Sequence, residues 1–199
     1  MILYFDTETT GLCPGHIIQL SYVMDYGDNK LLGKNFYFDV EYIEPGAAMV
    51  HGFTVERIKE LSHGEKFADR VEEIERDFAA ADLIVSHNFS FDFNFMDKEF
   101  SYIGKKFTFK ESLDTMRYFT PIIKLPRPFG KGIKYPKLEE LAAFSDVYPF
   151  EVTALTKRLF GLDVKTAHDA AFDTAQMFLS VQNCREKLPE VEAEISKYL

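Results

Sequence analysis

The chain opens on an apolar and aromatic run, Met1-Ile2-Leu3-Tyr4-Phe5, and residues 1–8 read as a buried strand. Ile17 to Met24 forms a second β-rich run. Asn35 to Val40, where Phe36 and Phe38 alternate with other positions, forms a third. The Asp25-Tyr26-Gly27-Asp28-Asn29 cluster is a turn between the last two runs, which predicts a meander. Beyond Glu44-Pro45-Gly46, Thr54 to Leu61 reads as a short helix with Thr54 as N-cap. Phe67, Val71, Ile74 and Phe78 then recur at helical spacing with Glu and Arg between them, the pattern of an amphipathic helix. Leu83-Ile84-Val85 is a short buried strand, followed by a Phe-rich helix from about Asp92 to Tyr102. From Gly104 to Lys137 the periodicity is lost: four prolines after Thr120, with basic residues throughout, predict irregular chain. Helices follow near Leu138–Phe144, Val152–Phe160 and Ala170–Lys187.

Strands first, then strands mixed with helices, predict an α/β domain on a mixed sheet flanked by helices. No repeat or linker divides the chain, so residues 1–199 are expected to form a single domain, with a basic Pro/Gly-rich loop at about 120–137. A composition of 46% hydrophobic and 15% aromatic residues can fill a sizeable core. Cys13 and Cys184 show no metal-ligand or redox spacing and read as reduced thiols. Charge at Asp6 leaves no room for a signal peptide, and no apolar run approaches the ~18 residues of a membrane span. The expectation is a cytoplasmic protein with no membrane association.

A net charge of −9 argues against nucleic acid at first sight, but local potential decides binding. Between Lys124 and Lys137 lie five basic residues and no acidic one, while the rest of the chain carries a balance of −14.

Three short stretches carry the candidate chemistry. In Phe5-Asp6-Thr7-Glu8-Thr9-Thr10-Gly11, strand alternation puts Asp6 and Glu8 on one face at the end of an apolar strand. Two like charges so close raise one another's pKa unless something positive lies between them, and a hard divalent cation wants such oxygen ligands. The alternative is a strand end pointing into water. In Ser86-His87-Asn88-Phe89-Ser90-Phe91-Asp92, the acid stands at a strand-to-helix junction, as a ligand or as a helix N-cap. In His168-Asp169-Ala170-Ala171-Phe172-Asp173, Asp169 as N-cap would put His168 at N′ and Asp173 at N4, two positions that meet. The alternative is an exposed loop histidine and an acid favoured by the positive helix end.

Together these segments resemble the DnaQ-like, or DEDDh, 3′–5′ exonucleases. The resemblance rests on Asp6–Leu12 (DTETTGL), His87–Asp92 (HNFSFD) and His168–Asp173 (HDAAFD), with His51-Gly52-Phe53-Thr54 similar to a linking segment of that family. It spans the chain from Leu3 to about Lys187. It implies an RNase H-like fold and an enzyme in which Asp6, Glu8, Asp92 and Asp173 hold two Mg²⁺ or Mn²⁺ ions, with His168 taking a proton from the attacking water. The substrate would be the single-stranded 3′ end of DNA or RNA, released as nucleoside 5′-monophosphates. The resemblance also places Thr7, Thr9 and the backbone around Thr10 and Gly11 at the terminal nucleotide, with Asn88 as a neighbouring contact, and His51 and Phe53 of the linking segment are further substrate-binding candidates. Phe53, Phe89 and Phe91 are candidates for base stacking, although core packing is the commoner fate of a phenylalanine. Lys124, Arg127, Lys131, Lys134 and Lys137 are expected on a flexible loop beside the cleft, touching the substrate backbone.

Other readings start from the same residues. An RNA-trimming enzyme shares the motifs, as does a proofreading subunit held by a DNA polymerase. An inactive binding module would have lost an acid, and this chain has lost none. A phosphohydrolase acting on small esters would not need the basic segment.

Overall fold

The protein is described by a computed structural model covering residues 1–12, 15–164 and 167–198. Cys13 therefore lies outside the described residues.

A five-stranded sheet in the order β3-β2-β1-β4-β5 organises the chain. β1 (Ile2–Thr9) runs antiparallel to β2 (Ile17–Asp25), which pairs antiparallel with β3 (Leu31–Tyr37). This is the expected meander. On its other side β1 is parallel to β4 (Leu83–Ser86), and β4 to β5 (Ser112–Asp114). Parallel pairing requires a crossover, which α1 (Pro45–His51), α2 (Val55–Ser62) and α3 (Phe67–Ala80) provide before β4. The helices α4 (Phe89–Tyr102), α5 (Thr115–Ile123), α6 (Leu138–Phe144), α7 (Pro149–Phe160), α8 (Ala170–Lys187) and α9 (Pro189–Ile195) complete the layers.

Alternation along β1 divides the core. Ile2 and Tyr4 face one layer, where Tyr4 meets Phe178 of α8 edge-on at 5.2 Å. Leu3 and Phe5 face the other, a phenylalanine-rich layer under α3 and α4 in which Phe5 meets Phe78 at 5.1 Å. Many of the phenylalanines are accounted for here. Continuing the same alternation assigns Asp6 and Glu8 to the α8 side and Thr7 to the α4 side.

Several elements differ from the pattern in the sequence. β3 begins at Leu31 rather than Asn35, because the turn closes tightly: Tyr26 N donates to Lys30 O and Lys30 N to Gly27 O, at 3.0 and 2.9 Å. Pairing therefore starts at Asp25–Leu31. Gly33 is required within β3, since a Cβ there would lie 2.8 Å from the Leu159 Cβ of α7. α4 starts at Phe89, so Asp92 sits inside its first turn and is not the N-cap; Asn88 is.

The stretch 104–137 is more ordered than its prolines suggest. β5 and α5 lie within it, and Asp114 caps α5 by accepting from Arg117 N at 3.3 Å. Pro121 sits inside α5 all the same. Beyond α5 the basic segment folds back as a small hairpin, with an antiparallel bridge between Pro126 and Ile133. Among the described residues, no helix is long and apolar enough to cross a membrane.

Candidate active site

The carboxyl end of β1 delivers Asp6 and Glu8 to the face covered by α8, and the first turn of α8 delivers Asp173 to the same place. Carboxylate oxygens of Asp6, Glu8 and Asp173 lie within 4.8 Å of one another, a cluster that could hold a metal ion. Asp92, only 2% exposed, approaches from the α4 side and lines the same cleft of about 450 Å³. The fourth acid is fixed by β1 itself: Thr7 Oγ1 donates to Asp92 Oδ1 at 2.7 Å. A larger cleft of about 680 Å³ opens beyond the Thr10 turn, but it contains none of these four acids.

No Lys, Arg or His among the described residues forms an ion pair with Asp6, Glu8, Asp92 or Asp173. The consequence shows in their acidity. Burial, then the charges of Asp92, Asp173 and Glu8, hold the Asp6 carboxyl well above the usual range. Burial and Asp173 push Glu8 up to about 9. Burial alone carries Asp92 to about 7, against the Thr7 hydroxyl that favours its charged form. Asp173 is likewise raised by burial to about 7, against the amide of His168. Oxygen donors this close, with no cation among them, fit a hard divalent metal.

Asp169 is the N-cap of α8, its Oδ1 accepting from Ala171 N at 2.9 Å. The N′–N4 contact forms through the backbone: His168 N donates to Asp173 Oδ2 at 3.1 Å. His168 holds a left-handed φ of 65°, unusual for a residue with a Cβ, and its exposed side chain lines the cleft.

The remaining candidates divide. Gly11, His51, Phe91 and Thr9 line the cleft. A Cβ at Gly11 would meet the Glu44 carboxyl group, the far end of a side chain that can swing aside. His51 has both ring nitrogens engaged: Nδ1 accepts from Phe53 N at 3.0 Å, so Nε2 carries the proton and donates to Thr9 O at 3.2 Å. Burial also holds its pKa low, so this imidazole stays neutral and braces the end of β1. Thr10 faces the neighbouring turn, its hydroxyl accepting from His16 N at 2.9 Å.

Four of the candidate residues have other partners in the fold. Thr7 lines the cleft, and its buried hydroxyl is directed at Asp92, so it orients a carboxylate. Phe53 packs edge-on against Tyr37 at 5.9 Å and does not line the cleft. Asn88 turns the chain from β4 into α4 with φ 72°, its amide donating to Asp114 Oδ1 at 3.1 Å, and stands outside the cleft lining. Lys134 is bound to Glu140 at 2.5 Å at the start of α6, and the loop it was assigned to is a hairpin. Lys131 stands exposed in that hairpin.

Sequence reasoning also missed residues. Leu12, Glu44, Val50 and His87 all line the cleft. His87 was visible inside its motif; Glu44 and Val50 belong to the entry and body of α1, which Pro45 at its first turn could have announced.

The family model described as "Exonuclease" (RNase T) matches residues 3–178. DNA polymerase III subunit epsilon of Salmonella typhimurium is 32% identical over 112 residues, covering 52% of this chain and 44% of that protein. The same subunit of Pasteurella multocida is 28% identical over 143 residues, covering 65% of this chain and 52% of that one. The chain thus matches about half the length of these relatives. Among solved structures, the zinc-bound E. coli exonuclease I complex with single-stranded DNA superposes with a TM-score of 0.70 at 21% identity, over 98% of this chain and 42% of that one. Its complex with a dA16 oligonucleotide gives 0.70 at 18%, covering 98% and 43%. At such identity the likeness shows a shared fold, the RNase H-like mixed sheet.

Proposed function

Because the chain belongs to the exonuclease family, we propose that it is a metal-dependent 3′–5′ exonuclease of the DEDDh type that releases nucleoside 5′-monophosphates from a single-stranded end. The observation that carries this reading is the meeting of Asp6, Glu8 and Asp173 within 4.8 Å, with Asp92 in the same cleft and no ion pair to any of the four among the described residues.

Asp6, Glu8, Asp92 and Asp173 would hold two divalent ions, Mg²⁺ or Mn²⁺. Bound there, the ions would stabilise charge on the attacking and leaving oxygens of the phosphodiester. The protein supplies the rest. Thr7 holds Asp92 in its orientation. The His168 amide holds Asp173, which leaves the exposed imidazole free to take a proton from water at the mouth of the cleft. Retention of a left-handed histidine there fits a residue placed for function. Gly11, Leu12 and Phe91 offer an apolar wall to the terminal nucleotide, and Thr9 is braced from behind by His51.

Single-stranded DNA is the first substrate to test, since the structural neighbours hold it. The polymerase-subunit names of the sequence relatives support a second reading, a proofreading role in contact with a polymerase. End-labelled single-stranded DNA and RNA, incubated side by side with Mg²⁺, test the proposal. A 5′-labelled strand should shorten stepwise to a ladder. Internal cuts, or a ladder that persists in a chelator, would defeat it.

A further inference from the structure

The basic segment after α5 has a definite shape. Lys134 N donates to Leu125 O at 2.9 Å and Arg127 N to Gly132 O at 3.2 Å, on either side of the Pro126–Ile133 bridge. The Arg127 Nε ties the two arms again through Ile133 O at 3.1 Å. At the tip, Gly130 and Gly132 take φ of 84° and 103°, a conformation residues with a Cβ rarely adopt. This turn carries Phe129, which is 91% exposed.

A phenylalanine ring held in water at the end of a hairpin gains nothing for the fold, and the residues around it say what would cover it. Lys134 and Lys137 pair with Glu140 and Glu139. Lys124, Arg127 and Lys131 are exposed and pair with no carboxylate among the described residues. Cationic side chains beside a bare aromatic ring match a single nucleic-acid strand, whose phosphates take the charges and whose bases present π-faces. The chain as a whole carries −9, so a cationic site of this kind is local. The hairpin is also joined to the active cleft. Nε2 of His87, a residue of the cleft lining, donates to the Pro136 carbonyl at the base of the hairpin at 3.0 Å.

We propose that the hairpin is a second contact for the substrate strand, with Phe129 stacking on a base several nucleotides inward from the 3′ end and Arg127 and Lys131 meeting the flanking phosphates. This rests on the exonuclease reading for the identity of the strand. It predicts that long strands engage the hairpin and very short ones do not.

The chain contains no tryptophan, so Phe129→Trp would place a single tryptophan at the tip, excitable apart from the ten tyrosines. Its emission should be quenched by a sixteen-residue oligothymidylate bearing a 3′ phosphorothioate to slow cleavage, in Mg²⁺. The thymidine dinucleotide should not quench it, while still competing for cleavage. Phe129→Ala should raise KM for the sixteen-mer roughly tenfold, with kcat and dinucleotide hydrolysis unchanged. Emission that ignores a sixteen-mer the enzyme binds and cuts normally would overturn the proposal. So would an equal loss on both substrates, or emission that changes with protein concentration alone, which would make the tip a contact between copies. If the wild-type protein cuts neither substrate, the exonuclease reading fails, and the quench reports separately on the strand contact.

Discussion

Two sets of buried or half-buried carboxylates, the first a single residue and the second a cluster of four, rest on the same sheet and are treated in opposite ways. Asp77 of α3 is 8% exposed, and Lys34 of β3 meets it at 2.5 Å while the Tyr22 hydroxyl donates at 2.8 Å. Burial alone would raise its pKa, yet these partners outweigh it and hold the group below the usual value. Asp6, Glu8, Asp92 and Asp173 are also drawn in from water, but with one another for company, and all four are raised. The first set closes the fold at the β2–β3–α3 corner. The second destabilises the protein wherever it is ionised without a metal. A fold tolerates that arrangement where function needs it.

The largest effect should come from breaking the second set. Asp6→Asn should abolish hydrolysis while raising the melting temperature of the metal-free protein, by about 2–4 °C for each kcal/mol of repulsion removed. The sign follows from titration. Well below the ordinary carboxyl range, at about pH 3 and under, the four carboxyls are protonated whether folded or not, and they cost nothing. As pH rises the unfolded chain ionises first, so the metal-free fold loses stability until the folded groups titrate, about 7 for Asp92 and Asp173 and about 9 for Glu8. Melting at pH 5 and pH 9 with and without Mg²⁺ checks this: a metal-free wild type no less stable at pH 9 would break the comparison.

His168→Ala should slow turnover by about 10²–10⁴-fold and leave metal affinity unchanged, since the contact to Asp173 runs through the backbone. Metal titrations of the two proteins check the second half. Thr7→Val should lower turnover by about 10–100-fold by releasing Asp92, with Thr7→Ser restoring it. The smallest effect on activity belongs to the paired set. Asp77→Ala should cost about 1–3 kcal/mol of stability, read from denaturant unfolding, and leave kcat where it was.

Much of this was legible in the chain. The strand period placed Asp6 and Glu8 on one face, and the cap at Asp169 fixed the N′–N4 meeting of His168 and Asp173, because both rest on local geometry. What escaped depends on distant partners. No periodicity could show that Thr7 points to α4 and holds Asp92, or that Lys134 is taken by Glu140. β5 is three residues long, too short for a pattern, and Pro121 disguised α5, whose start at Asp114 carries an ordinary cap. Phe53 looked available because it adjoins a motif, but Tyr37 across the β3 end claims its ring.

On the proposed function, the four raised carboxylates bind divalent metal. Calorimetric titration with Mg²⁺ or Mn²⁺ at pH 7, repeated in two buffers of different ionisation enthalpy, tests it most directly. Carboxyls held near or above neutrality must lose protons as metal arrives, so binding should release protons to the buffer, with two ions bound. Asp6→Asn should weaken binding and release fewer. Absence of metal binding in the wild type, or binding with no proton release, would contradict the account.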